Sequence, residues 1–61
     1  MNWSDNIKKL REKLLLTQKE FAELLNVAYV SLNRWENGHN EPTMKVKRKL
    51  KELFIKHNIK E

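Results

Sequence analysis

LTQKEFAELLNVAYVSLNRWENG, residues 16–38, is the stretch that decides the fold. It reads as two short helices joined by a tight turn, spanning about 17–37. Thr17 followed three residues later by Glu20 is a capping box: the threonine hydroxyl accepts from the Glu20 amide, and the Glu20 carboxylate accepts from the Thr17 amide. Phe21, Leu24 and Leu25 fall at i, i+3 and i+4 and form one apolar stripe, while the small Ala22 beside them lets another helix backbone come close. Asn26 follows. Asparagine tolerates the left-handed conformation that ends a helix, so the chain turns there and Val27 plugs the turn. From Ala28 the period resumes with Leu32 and Trp35 inward, which leaves Tyr29, Val30, Asn33 and Arg34 on the outward side. Gly38 closes the second helix where φ is positive.

Working outward, a first helix is expected over about Asp5 to Leu14, with Ile7, Leu10 and Leu14 in register. Its cap is Ser4 or Asp5, and Trp3 folds back as a hydrophobic staple on Ile7 or its neighbours. At the other end, Val46, Leu50, Leu53, Phe54 and His57 follow i, i+4, i+7, i+8 and i+11, an amphipathic helix of about 43–57 begun by Pro42 and Thr43. The only glycine and the only proline both lie between Asn37 and Thr43, so residues 38–42 form the one extended loop. The expected class is all-α, a small domain of four to five helices spanning 1–61.

Composition bounds the function. A chain of 61 residues has room for one small domain and no effector domain, and buries only about 60% of its extended surface, so modest stability is expected. There is no cysteine, which excludes disulfides and thiolate zinc sites and suits a reducing cytoplasm. The longest apolar run is Leu14-Leu15-Leu16, and Met-Asn-Trp-Ser-Asp lacks the basic and apolar regions of a signal peptide, so a cytoplasmic protein without a membrane span is expected.

The net charge of +5 is unevenly placed. Residues 1–42 balance Lys8, Lys9, Arg11, Lys13, Lys19 and Arg34 against Asp5, Glu12, Glu20, Glu23, Glu36 and Glu41. The whole excess lies beyond them, where Lys45, Lys47, Arg48, Lys49, Lys51, Lys56 and Lys60 face Glu52 and Glu61. The final helix therefore has one core face and one cationic face. Alone, such a face can be a solubilising surface; beside paired helices of this kind, phosphate attraction is the stronger reading.

From Leu16 to Met44 the chain resembles the lambda-repressor-like helix-turn-helix domains, the Cro or XRE family, almost position for position. The resemblance rests on Thr17-Gln18, Phe21-Ala22, Val27, Leu32, Arg34-Trp35-Glu36, Gly38 and Pro42-Thr43, at fixed spacing and in register with Ile7, Leu10 and Leu14 of the preceding helix. It implies a transcriptional regulator, a repressor, that lays the helix at about 28–37 into the major groove of an operator. Base reading falls to Tyr29, Val30, Asn33 and Arg34. Arg34 has the planar fork that matches guanine O6 and N7, with a phosphate clamp as its plainer role, while Tyr29 and Val30 offer a hydroxyl and apolar contact to a thymine methyl. Gln18 is assigned to a phosphate, with buttressing of a reading side chain or a simple first-turn position as alternatives. The resemblance also implies a partly buried salt bridge between Arg11 and Glu36. Trp35 is read as core rather than as a stacking platform.

Two departures from the family pattern matter. Ala28 stands where a serine or threonine commonly caps the recognition helix, a loss of roughly 1 kcal/mol. The loop after Gly38 is His-Asn-Glu rather than basic, and Glu41 repels a phosphate, so backbone contacts are assigned to Gln18, Ser31, Asn37, Thr43, Lys45 and Arg48. Catalysis finds little support. There is no glycine-rich loop and no nucleophile with a nearby base, and His39 and His57 have no metal-ligand spacing, so no enzyme activity, cofactor, metal or small-molecule substrate is expected. The expected partner is double-stranded DNA, read by a weak homodimer that forms on it. The rival reading is a protein-interaction module, antitoxin-like or binding a larger regulator through the same surface, and the apolar Tyr29 and Val30 keep it open.

Overall fold

A computed structural model describes residues 2–60. It contains four helices: α1 Trp3–Lys13, α2 Gln18–Leu25, α3 Tyr29–Glu36 and α4 Met44–Lys56. α3 packs against both α1 and α2, and α4 leans on α1. The core draws on all four helices: Ile7 and Leu10 from α1, Phe21, Ala22 and Leu25 from α2, Leu32 and Trp35 from α3, and Leu50 and Phe54 from α4. Val27, Val46 and Leu53 pack at its rim.

The start of α2 follows the capping box read from the sequence. Glu20 donates its amide to Thr17 Oγ1 at 3.1 Å, and Thr17 donates its own to Glu20 Oε1 at 2.9 Å. The start of α1 differs from expectation. The cap is Asn2, not Ser4 or Asp5: Asn2 Oδ1 accepts from the Asp5 amide at 3.2 Å and from Ser4 Oγ at 3.0 Å, while Asn2 Nδ2 donates to Asp5 Oδ2 at 3.0 Å. This reciprocal pair starts the helix earlier, so Trp3 is its first residue rather than a staple. The indole reaches α4 instead, with its ring centroid 6.0 Å from that of Phe54.

Leu24 is a second correction, since it is 48% exposed while Phe21, Ala22 and Leu25 are buried. The centre of the buried arc lies between Phe21 and Ala22, because α2 approaches its neighbours on the small-residue side. That rotation carries Leu24 to the flank. In α4 the expected inward set holds: Leu50 and Phe54 are buried, and Val46, Leu53 and His57 are half-buried, with Thr43 and His57 flanking the helix.

All four helices end in one way, with a left-handed residue whose amide bonds to the carbonyl three back while the next amide bonds five back. The left-handed residues are Leu15, Asn26, Gly38 and Asn58. The paired bonds are Leu15 to Glu12 and Leu16 to Arg11, Asn26 to Glu23 and Val27 to Ala22, Gly38 to Trp35 and His39 to Arg34, and Asn58 to Ile55 and Ile59 to Phe54. Leu16, Val27 and Ile59, each just past its left-handed residue, pack on the core and anchor three of these ends. Leu15 is the anomaly. Its φ is 58° and its side chain is 89% exposed, so it carries backbone strain with no burial in return. Left-handed geometry costs an ordinary L-residue about 1–2 kcal/mol, whereas glycine adopts it freely at a smaller entropic cost. Leu15→Gly is therefore expected to stabilise the domain by about 0.5–1 kcal/mol. Thermal unfolding checks this, and an unchanged or lower midpoint contradicts it.

Candidate nucleic-acid interface

α3 presents a continuous outer face. Tyr29 is 50% and Val30 61% exposed, Arg34 and Asn37 are exposed, and Asn33 is half-buried between them. These positions follow i, i+1, i+4, i+5 and i+8, so they share one side of the helix, opposite Leu32 and Trp35. Asn37 Nδ2 donates to Asn33 Oδ1 at 3.3 Å, which orders that edge and leaves the Asn33 amide group to donate outward. The Arg34 guanidinium makes no hydrogen bond or ion pair with the described residues. Ser31 lies apart from this set, half-buried in the first turn. As the sequence suggests, Ala28 is extended and gives α3 no side-chain cap.

Beneath this face lies a charged hub. Glu36, 4% exposed, accepts Arg11 Nε at 2.8 Å on Oε2, and Arg11 Nη2 and Gln18 Nε2, each at 3.1 Å, on Oε1. Arg11 Nη1 also donates to the Leu16 carbonyl at 3.1 Å. One carboxylate thus joins the end of α3 to the start of α2, and one guanidinium joins both to the α1–α2 connection. The hydrogen bond to Glu36 raises the Arg11 pKa, with partial desolvation opposing it. A raised pKa in a cation means that its contribution to stability is complete below the unfolded-state value and is lost only as pH climbs through the strongly alkaline range. Gln18, assigned from sequence to a phosphate, has its side-chain amide turned inward to Glu36, which leaves its backbone amide at the first position of α2.

On α4, Thr43 precedes the helix without making a side-chain cap bond, and Thr43, Lys45 and Arg48 are all exposed. Glu41, read as a repulsive loop charge, is paired: Lys47 Nζ donates to its Oε1 at 2.8 Å and sits 5.2 Å from the centroid of the Trp3 ring. Lys13 donates to the His57 carbonyl at the end of α4. The sequence reading missed both lysine roles, because each depends on which helix ends meet in space. It also missed Asn2, although Asn2 and Asp5 carry the i, i+3 signal of a cap. Among the described residues no helix is long and apolar enough to cross a membrane, and no group of three or more His, Cys, Asp or Glu is placed to hold a metal ion.

A sequence model of the helix-turn-helix family matches residues 7–56. The chain belongs to that family. It is of the lambda-repressor-like, Cro/C1 kind. Over 45 residues it is 42% identical to the type II methyltransferase M.SsoII of Shigella sonnei, covering 69% of this chain and 12% of that protein. Over 41 residues it is 39% identical to the HTH-type transcriptional regulator DicA of Escherichia coli strain K12, covering 67% of this chain and 30% of DicA. The matches therefore span less than a third of either relative's length. No solved structure matches the chain.

Proposed function

We propose that this helix-turn-helix chain is a sequence-specific double-stranded DNA-binding transcriptional regulator, a repressor working in the cytoplasm that lays α3 in the major groove. The outer face of α3 carries the reading: an arginine with no partner among the described residues, an ordered asparagine pair and two exposed first-turn side chains stand on one side of a helix whose other side is core. Arg34 is assigned to guanine, Tyr29 and Val30 to a thymine methyl and its surroundings, and Asn33 to a base-edge acceptor. Asn37, Thr43, Lys45, Arg48, Ser31 and the backbone amide of Gln18 are assigned to phosphates. Arg11 and Glu36 hold α2 and α3 in register for this task.

The relation to a transcriptional regulator supports this role. A match spanning 12% of a methyltransferase carries no catalytic reading to this chain. One domain covers a half-site, so two copies pair weakly on a near-palindrome with centres about 34 Å apart. Selection from a random duplex library at about 150 mM salt tests the proposal. A recovered near-palindrome is the expected result. Binding without sequence preference reduces the function to backbone attraction, and failure to bind any duplex overturns it in favour of a protein partner on the Tyr29 and Val30 surface.

A further inference from the structure

We propose that Lys45 and Lys49 form a phosphate seat against the turn between α2 and α3, a contact to the DNA backbone that flanks the reading face. A recess of about 120 Å³ opens there, lined by Leu25, Asn26, Val27, Lys45, Val46 and Lys49. Its lining combines the apolar Leu25, Val27 and Val46 with Asn26 and two lysines, and among the described residues no Asp or Glu lines it. Lys45 and Lys49 are exposed and make no hydrogen bond or ion pair with the described residues. Placed at i and i+4, they repel each other across one helical turn, an arrangement that destabilises a bare helix and that a bridging anion relieves. Other lysines are spent within the fold, Lys47 on Glu41 and Trp3 and Lys13 on the His57 carbonyl.

The seat has a fixed relation to the reading face. The Val27 amide bonds to the Ala22 carbonyl at 2.9 Å, so the wall of the recess is the same held turn that launches α3 two residues later. A duplex that meets Tyr29 and Val30 therefore runs its backbone beside the recess. The geometry adds Lys49 to the phosphate contacts and makes it the working partner of Lys45, in a recess that Arg48 does not line.

This inference rests on the DNA-binding reading, and the test separates the two. The full chain is titrated with the selected duplex between about 50 and 200 mM salt as wild type, as Lys45→Gln/Lys49→Gln, and as Lys56→Gln/Lys60→Gln, which removes the same charge elsewhere. Thermal unfolding without DNA accompanies each titration, and the Lys45/Lys49 variant is expected to keep or raise its midpoint. In the seat variant the slope of log K against log salt is expected to flatten by about 1.8, or 0.9 per phosphate contact, with the preferred sequence unchanged. Over that salt range its affinity then falls roughly twelvefold less than that of wild type. The Lys56/Lys60 variant is expected to keep a slope near wild type. Equal flattening in both variants, or none in the first, overturns the seat while leaving DNA binding intact. A wild-type chain that binds no duplex removes both.

Discussion

Glu36→Ala is expected to destabilise the domain by about 3–5 kcal/mol, the usual cost of breaking a buried ion pair from one side. The carboxylate accepts three hydrogen bonds, two from Arg11 and one from Gln18, so its loss strands a guanidinium and a carboxamide at the meeting point of three segments. Domains of this length hold roughly 3–9 kcal/mol in total, so the variant is expected to lose a third or more of its stability. Arg11→Met is expected to cost nearly as much, because it leaves the buried Glu36 carboxylate without its cation. A double variant replacing both by apolar residues is expected to recover part of the loss, since most of the penalty belongs to the unpaired charge rather than to the pair. Circular dichroism during thermal unfolding reads all three. A midpoint within a few degrees of wild type for Glu36→Ala contradicts the account, as each 1 kcal/mol moves a domain of this size by about 4–8 °C.

Phe54→Ala is expected to cost about 3–5 kcal/mol through the lost transfer energy and the cavity left behind. Phe54 is fully buried, and its ring meets Trp3, so it ties the last turns of α4 to the first turn of α1. Leu50 is the other fully buried anchor of α4, and the half-buried Val46 and Leu53 give less. Emptying the Phe54 site therefore loosens the helix that carries Lys45 and Arg48, and exposes Trp3 to water. A Trp35→Phe background isolates the Trp3 emission, which is expected to shift to longer wavelength together with the lower midpoint. An unshifted emission and a midpoint close to that of the Trp35→Phe parent contradict the role given to this contact.

The legible parts of this fold were those written in short-range chemistry. Thr17 and Glu20 are three residues apart and bond to each other, Asn26 and Gly38 sit where left-handed backbone is needed, and Leu32 and Trp35 are inward because the helical period puts them there. Leu24 was misplaced because periodicity gives an arc of about 100° but not its centre, which Ala22 shifted by setting where α2 approaches its neighbours. Leu15 was invisible because leucine carries no signal for positive φ; the conformation is imposed by Leu16 packing on the core just beyond it. Within the candidate interface the outward face of α3 was readable, whereas the turning of Gln18 toward Glu36 and of Lys47 toward Glu41 was not. Long polar side chains choose among several partners at similar cost, and only the assembled fold fixes which partners are in reach.

Arg34 offers the most direct test of base reading by α3. The measurement compares wild type and Arg34→Ala on the selected duplex and on a set with each base pair of the half-site replaced in turn. Wild type is expected to discriminate against replacement of one G·C pair by about 1–3 kcal/mol, and Arg34→Ala to lose this preference at that position while keeping it elsewhere. A variant that weakens equally on every duplex, with all preferences intact, contradicts this expectation and makes Arg34 a phosphate clamp.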